Sequence, residues 1–386
     1  MTPQHYQPLI KVIGIGGGGS NAIDRMIHVG IPGVQFLAAN TDAQALALSE
    51  APRKVQLGPK TTRGLGAGGN PEVGAKAAKE SAEAVRQSLS GAEIVFLALG
   101  LGGGTGTGAG PVIAELARES GALTIAVATT PFSFEGRRRS ETAQEGMEAL
   151  AVKSDTLVAI SNDRLLEFID EETSLDISFR IADEVLRQGI QGVAELITST
   201  GVINLNLMHV RTILQDAGPA LMSIGQGRGD DRAIEAAELA IASPLSELSS
   251  IAGASGILVN ITGGNDLSLD EIQQAVSTVA GVASPEANIF FGATVDPGMG
   301  RQLQVMLIAV GMDGLRSAPS ALSLPVGDRR SFYRRPPSTP RAATGKESLE
   351  FDRSRQGVDL LDLDVPTFLR RRRLARVGEE GEEKHA

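Results

Sequence analysis

The run Gly102-Gly103-Gly104-Thr105-Gly106-Thr107-Gly108 decides how the rest of the chain is read. Apolar residues precede it (Val95, Phe96, Leu97, Leu99), and Val112, Ile113 and Leu116 recur at helical spacing after it. The order is a strand, a bare turn, then a helix. Five glycines in seven residues leave the backbone uncovered, so successive N–H groups can converge on one ligand. A helix N-terminus adds partial positive charge. Together these favour an anion, and a phosphate chain most of all. A flexible linker is the alternative, but Gly-rich linkers seldom join a buried strand to a helix.

Working outward, residues 9–15 form another apolar run, and it ends in Gly16-Gly17-Gly18-Gly19-Ser20-Asn21. A helix follows, with Ala22, Ile23, Met26 and Ile27 on one face. Residues 34–39 read as a strand ending at Asn40-Thr41-Asp42, and residues 58–71 as a Gly-rich loop. A helix is expected from Pro71 to Leu89, with proline in its first turn. Strands at 123–129 and 156–161 are followed by Pro131-Phe132-Ser133-Phe134-Glu135-Gly136-Arg137-Arg138-Arg139 and by Asn162-Asp163. Alternating strands and helices predict a parallel sheet covered by helices. Each special loop follows a strand, which places all of them on one rim.

A long helical pattern (Ile177, Ile181, Val185, Ile190, Val193, Leu196, Ile197) reads as a spine between two α/β units. Strands of the second unit are expected at 220–224, 256–262, 288–294 and 302–310, with helices near 233–241 and 269–279. After about Gly314, Ser, Pro, Arg and Ala dominate, the composition of a disordered linker.

The totals set limits. The 386 residues suffice for about two domains. Cysteine is absent, so disulfides and thiolate chemistry are excluded. His5, His28, His209 and His385 show no ligand spacing; any metal would be Mg²⁺ held by phosphate oxygens. A net charge of −10 argues against nucleic-acid binding by the whole chain. Neither a signal peptide nor a membrane-spanning stretch is visible, which makes the cytoplasm the expected compartment.

Gly14-x-Gly16-x-x-Gly19 matches the dinucleotide fingerprint, and Asp42 lies near the spacing expected of its ribose-binding acid. A nicotinamide dehydrogenase leaves the glycines at 64–69 and 102–108 unexplained. Three bare loops on one rim suit a nucleoside triphosphate better. No Gly-x-x-x-x-Gly-Lys-Ser/Thr is present, so backbone N–H groups and Mg²⁺ would have to balance the phosphates.

The run at 102–108 resembles the tubulin-type signature loop. With Asn40-Thr41-Asp42, the loop at 64–71, Pro131 to Arg139 and Asn162-Asp163, the order and spacing resemble the bacterial cell-division GTPase family FtsZ, over residues 10–312 and again in the tail. The resemblance implies a parallel-sheet GTP-binding domain at 10–174 after an N-terminal extension at 1–9. It implies a central helix at 175–200 and a C-terminal α/β domain of the GTPase-activating type, with a mixed sheet, at 201–314. A disordered linker at 315–359, a partner-binding peptide at 360–376 and an acidic tail at 377–386 complete the division.

The resemblance also implies roles. Gly17, Gly18, Gly19, Ser20 and Asn21 contact GTP or GDP, Asn21 near the guanine, and Asn162 belongs to the same site. Gly104, Thr105 and Gly106 hold phosphates, and Glu135 and Arg139 meet the ribose region. Arg137 and Arg138 are expected to be solvated. Phe179 stacks near the base, and Asp183 accepts from guanine N1–H and N2–H₂. An ionised carboxylate takes both donors, so Asp183 favours guanine; the bland alternative is a solvated charge on the spine.

In one place the chain departs from the pattern. The family completes its site with a loop from the next subunit resembling Gly-x-x-Asn-x-Asp-x-x-Asp. Here that loop reads Gly201-Val202-Ile203-Asn204-Leu205-Asn206-Leu207-Met208-His209, with both carboxylate positions replaced, by Asn206 and His209. An amide can bind a water but cannot take its proton. A neutral imidazole can, though it is bulkier and differently placed. Loss of a general base typically costs about 10²–10⁴ in rate. GTP binding and head-to-tail assembly are therefore expected to survive with slow or absent hydrolysis. The competing expectation is that Asn206 alone suffices to position water.

In the tail, Asp362-Leu363-Asp364-Val365-Pro366-Thr367-Phe368-Leu369-Arg370 resembles the family's recognition peptide, which engages membrane tethers and division regulators. Arg370, Arg371, Arg372, Arg373 and Arg376 add charge that can touch anionic lipid. The implied place of action is the division ring at the inner face of the membrane. A regulatory second copy with little GTPase activity is the other reading.

Overall fold

The computed structural model describes residues 8–166, 175–198, 203, 205–242, 245, 251 and 253–312. The first half runs β1 (Ile10–Ile15), α1 (Gly16–Val29), β2 (Val34–Asn40), α2 (Ala43–Leu48), β3 (Arg53–Gln56), α3 (Pro59–Thr62), α4 (Pro71–Glu80), α5 (Ala82–Leu89), β4 (Ile94–Gly100), α6 (Thr105–Glu119), β5 (Leu123–Thr130), α7 (Arg137–Lys153), β6 (Thr156–Ser161) and α8 (Asn162–Leu166). The long helix α9 (Leu175–Thr198) follows. Then come α10 (Leu207–Leu214), β7 (Gly218–Arg228), α11 (Arg232–Ala242), β8 (Gly256–Gly263), α12 (Leu269–Val282), β9 (Asn288–Val295) and β10 (Gln302–Val310).

The strands form a ten-stranded sheet in the order β3-β2-β1-β4-β5-β6-β7-β10-β8-β9. From β3 to β6 every pairing is parallel. Beyond it, β10 pairs antiparallel with β7 and β8, and β8 runs parallel to β9. The fold is thus mixed α/β with a parallel first half, as expected. The seam is short. Thr156, Leu157 and Val158 of β6 face Gly218, Pro219 and Ala220 of β7, so one sheet runs through both halves.

Strand periodicity places alternate side chains on opposite faces. Ile94, Phe96 and Ala98 of β4 enter the core that also takes α1 and α9, while Val95, Leu97 and Leu99 enter the core under α6. The first core continues through Met222, Leu258, Met306 and Ile308, so α9 is buried against both halves. Two mid-helix glycines explain how closely it packs. A Cβ on Gly189 would lie 2.5 Å from Met222 Sδ, and one on Gly192 2.3 Å from Met306 Sδ.

Several expected boundaries move. The helix expected from Pro71 to Leu89 breaks at Ser81, whose hydroxyl accepts from Gly58 N at 2.9 Å and donates to Gln56 O at 3.1 Å. Asn70 caps α4 by accepting from Glu72 N at 2.9 Å. The short helix α3 lies within the expected loop at 58–71, α2 and β3 fall in a stretch to which the sequence assigned no element, and β7 is longer than expected at both ends.

Candidate nucleotide site

The loops singled out by sequence follow β1, β4, β5 and β6, whose carboxyl ends lie side by side in the sheet. Helix α1 begins at Gly16, directly after β1, and α6 begins at Thr105 with Gly104 as its N-cap. These two starts abut. A Cβ on Gly16 would stand 3.1 Å from Gly106 N and 3.2 Å from Thr105 Cβ, and its φ of 74° suits glycine. Neither helix has a side-chain cap, and neither has an acidic residue in its first turn. Two sets of first-turn N–H groups are left for an external acceptor.

The glycines of the run at 102–108 divide into two kinds. A Cβ at Gly106 would lie 2.4 Å from Gly100 O, and one at Gly108 only 1.9 Å from Pro71 O. Packing alone forbids a side chain there. At Gly17 and Gly103 a Cβ meets nothing within 4 Å, so the protein itself gives no reason for glycine. Gly17 is exposed, and Gly103 lines an open cavity. Thr105 shares a 2.6 Å hydroxyl–hydroxyl hydrogen bond with Thr41, which fixes the start of α6 to the end of β2.

A cavity of about 560 Å³ opens beside this run, within the range of small-molecule sites. It is lined by Gly68, Gly69, Gly102, Gly103, Glu135, Gly136, Arg137, Arg138, Arg139 and Thr142. Glu135 accepts from Arg139 at 2.6 Å and from Phe132 N at 2.9 Å, so it holds both the arginine and its own loop. Arg137 and Arg138 are solvent-exposed, as expected, and stand at the edge of this cavity. Arg137 also pairs with Glu141 at 2.6 Å.

A second group is aromatic and acidic. Phe132 stacks on Phe134 at 5.0 Å and meets Phe179 edge-on at 5.4 Å. Phe179 and Asn21 are exposed. The Asp183 side chain is only 18% exposed and pairs with Arg25 at 3.4 Å. Burial pushes its carboxyl up to about 6, against the pull of Arg25. Ser20 Oγ and Asn162 Oδ1 are buried without a hydrogen-bond partner in the protein. Buried orphans of this kind want an external partner. Arg25 and Phe132 escaped sequence reasoning. Arg25 lies one helical turn beyond Asn21 on α1, a spacing that could have found it.

Asp42, the candidate ribose acid of the dehydrogenase reading, is spent locally. Its Oδ1 accepts from Gln44 N at 2.9 Å and Ala45 N at 3.0 Å, capping α2.

The loop after α9 is anchored to the edge strand β9. Ile203 and Ala293 exchange backbone hydrogen bonds at 3.3 and 2.9 Å. Asn206 caps α10, its Oδ1 accepting from His209 N at 2.9 Å. The His209 ring lies flat on Phe290, with centroids 4.8 Å apart and planes 14° apart. Both residues at the expected carboxylate positions are thus engaged by their own chain. Asn204, kept from the family pattern, lies outside the described residues, as do the N-terminal residues 1–7 and the linker, recognition peptide and acidic tail.

Two family models match: the GTPase domain of the Tubulin/FtsZ family over residues 9–170, and the C-terminal domain of the FtsZ family over residues 218–313. Among solved structures, the chain is similar to an empty FtsZ dimer from M. jannaschii. The identity is 42% over 80% of this chain and 89% of that one, with a TM-score of 0.75. The chain belongs to the tubulin/FtsZ family. The fold is shared more distantly with CetZ2 from Haloferax volcanii, solved as a GTPγS-bound protofilament, at 20% identity over 80% of this chain and 95% of that one, with a TM-score of 0.67.

Tubulin/FtsZ proteins are filament-forming GTPases, which agrees with the nucleotide reading of the rim and displaces the dehydrogenase alternative. Among the described residues no helix is long and apolar enough to cross a membrane, and no group of three or more His, Asp or Glu could hold a metal ion.

Proposed function

We propose that this chain binds GTP on the rim of its parallel half-sheet, assembles head-to-tail into filaments, and hydrolyses the nucleotide slowly or not at all. Binding is supported by the two uncapped helix starts, the open glycines Gly17 and Gly103, and the orphaned Ser20 Oγ and Asn162 Oδ1. In this reading the first-turn N–H groups of α1 and of α6, at Thr105 and Gly106, hold the phosphates. Glu135 and Arg139 meet the ribose side, and Asp183 reads the base beside Phe179. Mg²⁺ would enter with the phosphates, since the described residues offer it no cluster of their own.

The observation that carries the slow-hydrolysis reading is the α9–α10 loop. The Asn206 side-chain oxygen caps its own helix, and the His209 ring lies stacked on Phe290 with its Nδ1 buried and unpartnered. No carboxylate is left at the two family positions to orient and polarise water. Positioning and charge stabilisation remain available from the intact phosphate loops, so binding and assembly outlast the loss of turnover. Filaments of this chain would then be long-lived, which suits a scaffold of the division ring tethered through Asp362–Arg373, or a regulatory copy beside an active one. Phosphate release measured alongside pelleting of polymer tests this. GTP-dependent polymer with little release is expected, and release that keeps pace with subunit turnover would refute it.

A further inference from the structure

A charged contact joins α1 to α9 at Asp183. Arg25 on α1 reaches α9 twice within one turn. One guanidinium nitrogen lies 3.4 Å from Asp183 Oδ2, and the other donates to Arg180 O at 3.3 Å. The Arg25 side chain is 35% exposed and that of Asp183 18%, so solvent screens the pair only in part. Arg25 is the charged group that acts on the Asp183 carboxyl. Asp24, beside it on α1, is turned to Ser49 and Glu50 N, and Glu184 and Arg187 on α9 pair with each other. Beyond the 3.4 Å contact with Arg25, no hydrogen bond is made to the Asp183 carboxylate among the described residues, so it keeps acceptor capacity to spare.

Resting on the GTP reading above, we propose that Arg25 is a positioning residue for base recognition: it holds Asp183 ionised and oriented, with one oxygen facing the guanidinium and the other presented to the donor edge of a guanine. The physical need is plain. Burial favours the neutral acid, and a neutral carboxyl would turn an O–H toward the base, where two N–H donors require acceptors. Arg25 opposes that drift from outside the base contact. A guanidinium suits the task because it stays charged at every working pH and can hold a carboxylate and a carbonyl from one plane.

The test compares the unsubstituted protein with Arg25→Gln and Arg25→Lys, measuring fluorescent GTP-analogue affinity at pH 6 and pH 8 with ATP as competitor. Losing Arg25 should strengthen proton binding at Asp183 about tenfold, which leaves roughly a fifth of the ionised form at pH 6 and nearly all of it at pH 8. Arg25→Gln should therefore bind about fivefold more weakly at pH 6 and less than twofold more weakly at pH 8, with Arg25→Lys recovering most of the loss. In an Asp183→Asn background the Arg25→Gln step should show no pH dependence. Arg25→Met, which keeps the apolar stem, runs in parallel should Arg25→Gln fail to fold. An equal loss at both pH values would overturn the proposal, reducing Arg25 to a tie between helices, as would no loss at all. Failure of the underlying reading is distinct: the unsubstituted protein would then prefer neither nucleotide at pH 8.

Discussion

Helix α6 begins at an open end and helix α10 at a closed one. The N-cap of α6 is Gly104, which has no side chain to offer, and no acid follows in its first turn. The N-cap of α10 is Asn206, whose amide oxygen takes His209 N, while the His209 ring is held on Phe290. Both helices start on loops that a shared active site would use, one from each neighbour in a filament. The open start keeps its N–H groups for a phosphate chain. The closed start has its first-turn N–H capped within its own subunit, although His209 Nδ1 is buried there without a hydrogen-bond partner. The proposed function thus assigns binding to the open start and the loss of hydrolysis to side-chain changes at the closed one.

The largest expected effect breaks the comparison from the closed side. Asn206→Asp with His209→Asp keeps a good N-cap, because aspartate caps about as well as asparagine, and frees position 209 from Phe290. Phosphate release should rise by about 10²–10⁴. No rise would mean that the loop's closure is not what limits turnover.

Next in size is a pair of substitutions on the open side. Gly108→Ala sets a Cβ 1.9 Å from Pro71 O and should destabilise by roughly 1–3 kcal/mol, seen as a lower unfolding midpoint. Gly103→Ala meets nothing within 4 Å. It should leave stability within about 0.5 kcal/mol while weakening GTP binding. Equal behaviour of the two would erase the division between packing glycines and ligand-facing ones.

The pH dependence is smaller. Burial raises the Asp183 carboxyl to about 6. The fold prefers the neutral acid, so that contribution to stability is full below the unfolded value and is lost as pH rises through about 6. A guanine edge prefers the carboxylate. GTP affinity should therefore be level above about pH 7 and fall toward tenfold per unit below about pH 6, as titration calorimetry would record. The smallest effect is Asn206→Ala, which should cost about 1 kcal/mol of stability by opening α10.

Much of this was legible in the sequence because it is local. The buried run of β1, the glycines after it, the run at 102–108 and the apolar stripe of α9 each carry their own signal of period or bareness. The pairings that finish the site are not local. Arg25 meets Asp183, and His209 meets Phe290, across long stretches of chain that no periodicity spans. The seam that makes one sheet of two halves rests on three residues of β6 facing three of β7, too few to leave a pattern. The short elements α2 and β3 were hidden for the same reason.

The central claim is that nucleotide is held on one subunit while the neighbour's loop fails to consume it. The most direct measurement is the identity of the nucleotide in polymer pelleted after assembly with GTP. The account predicts that GTP remains the main nucleotide in the pellet long after assembly is complete. A pellet containing mostly GDP at that point would contradict it.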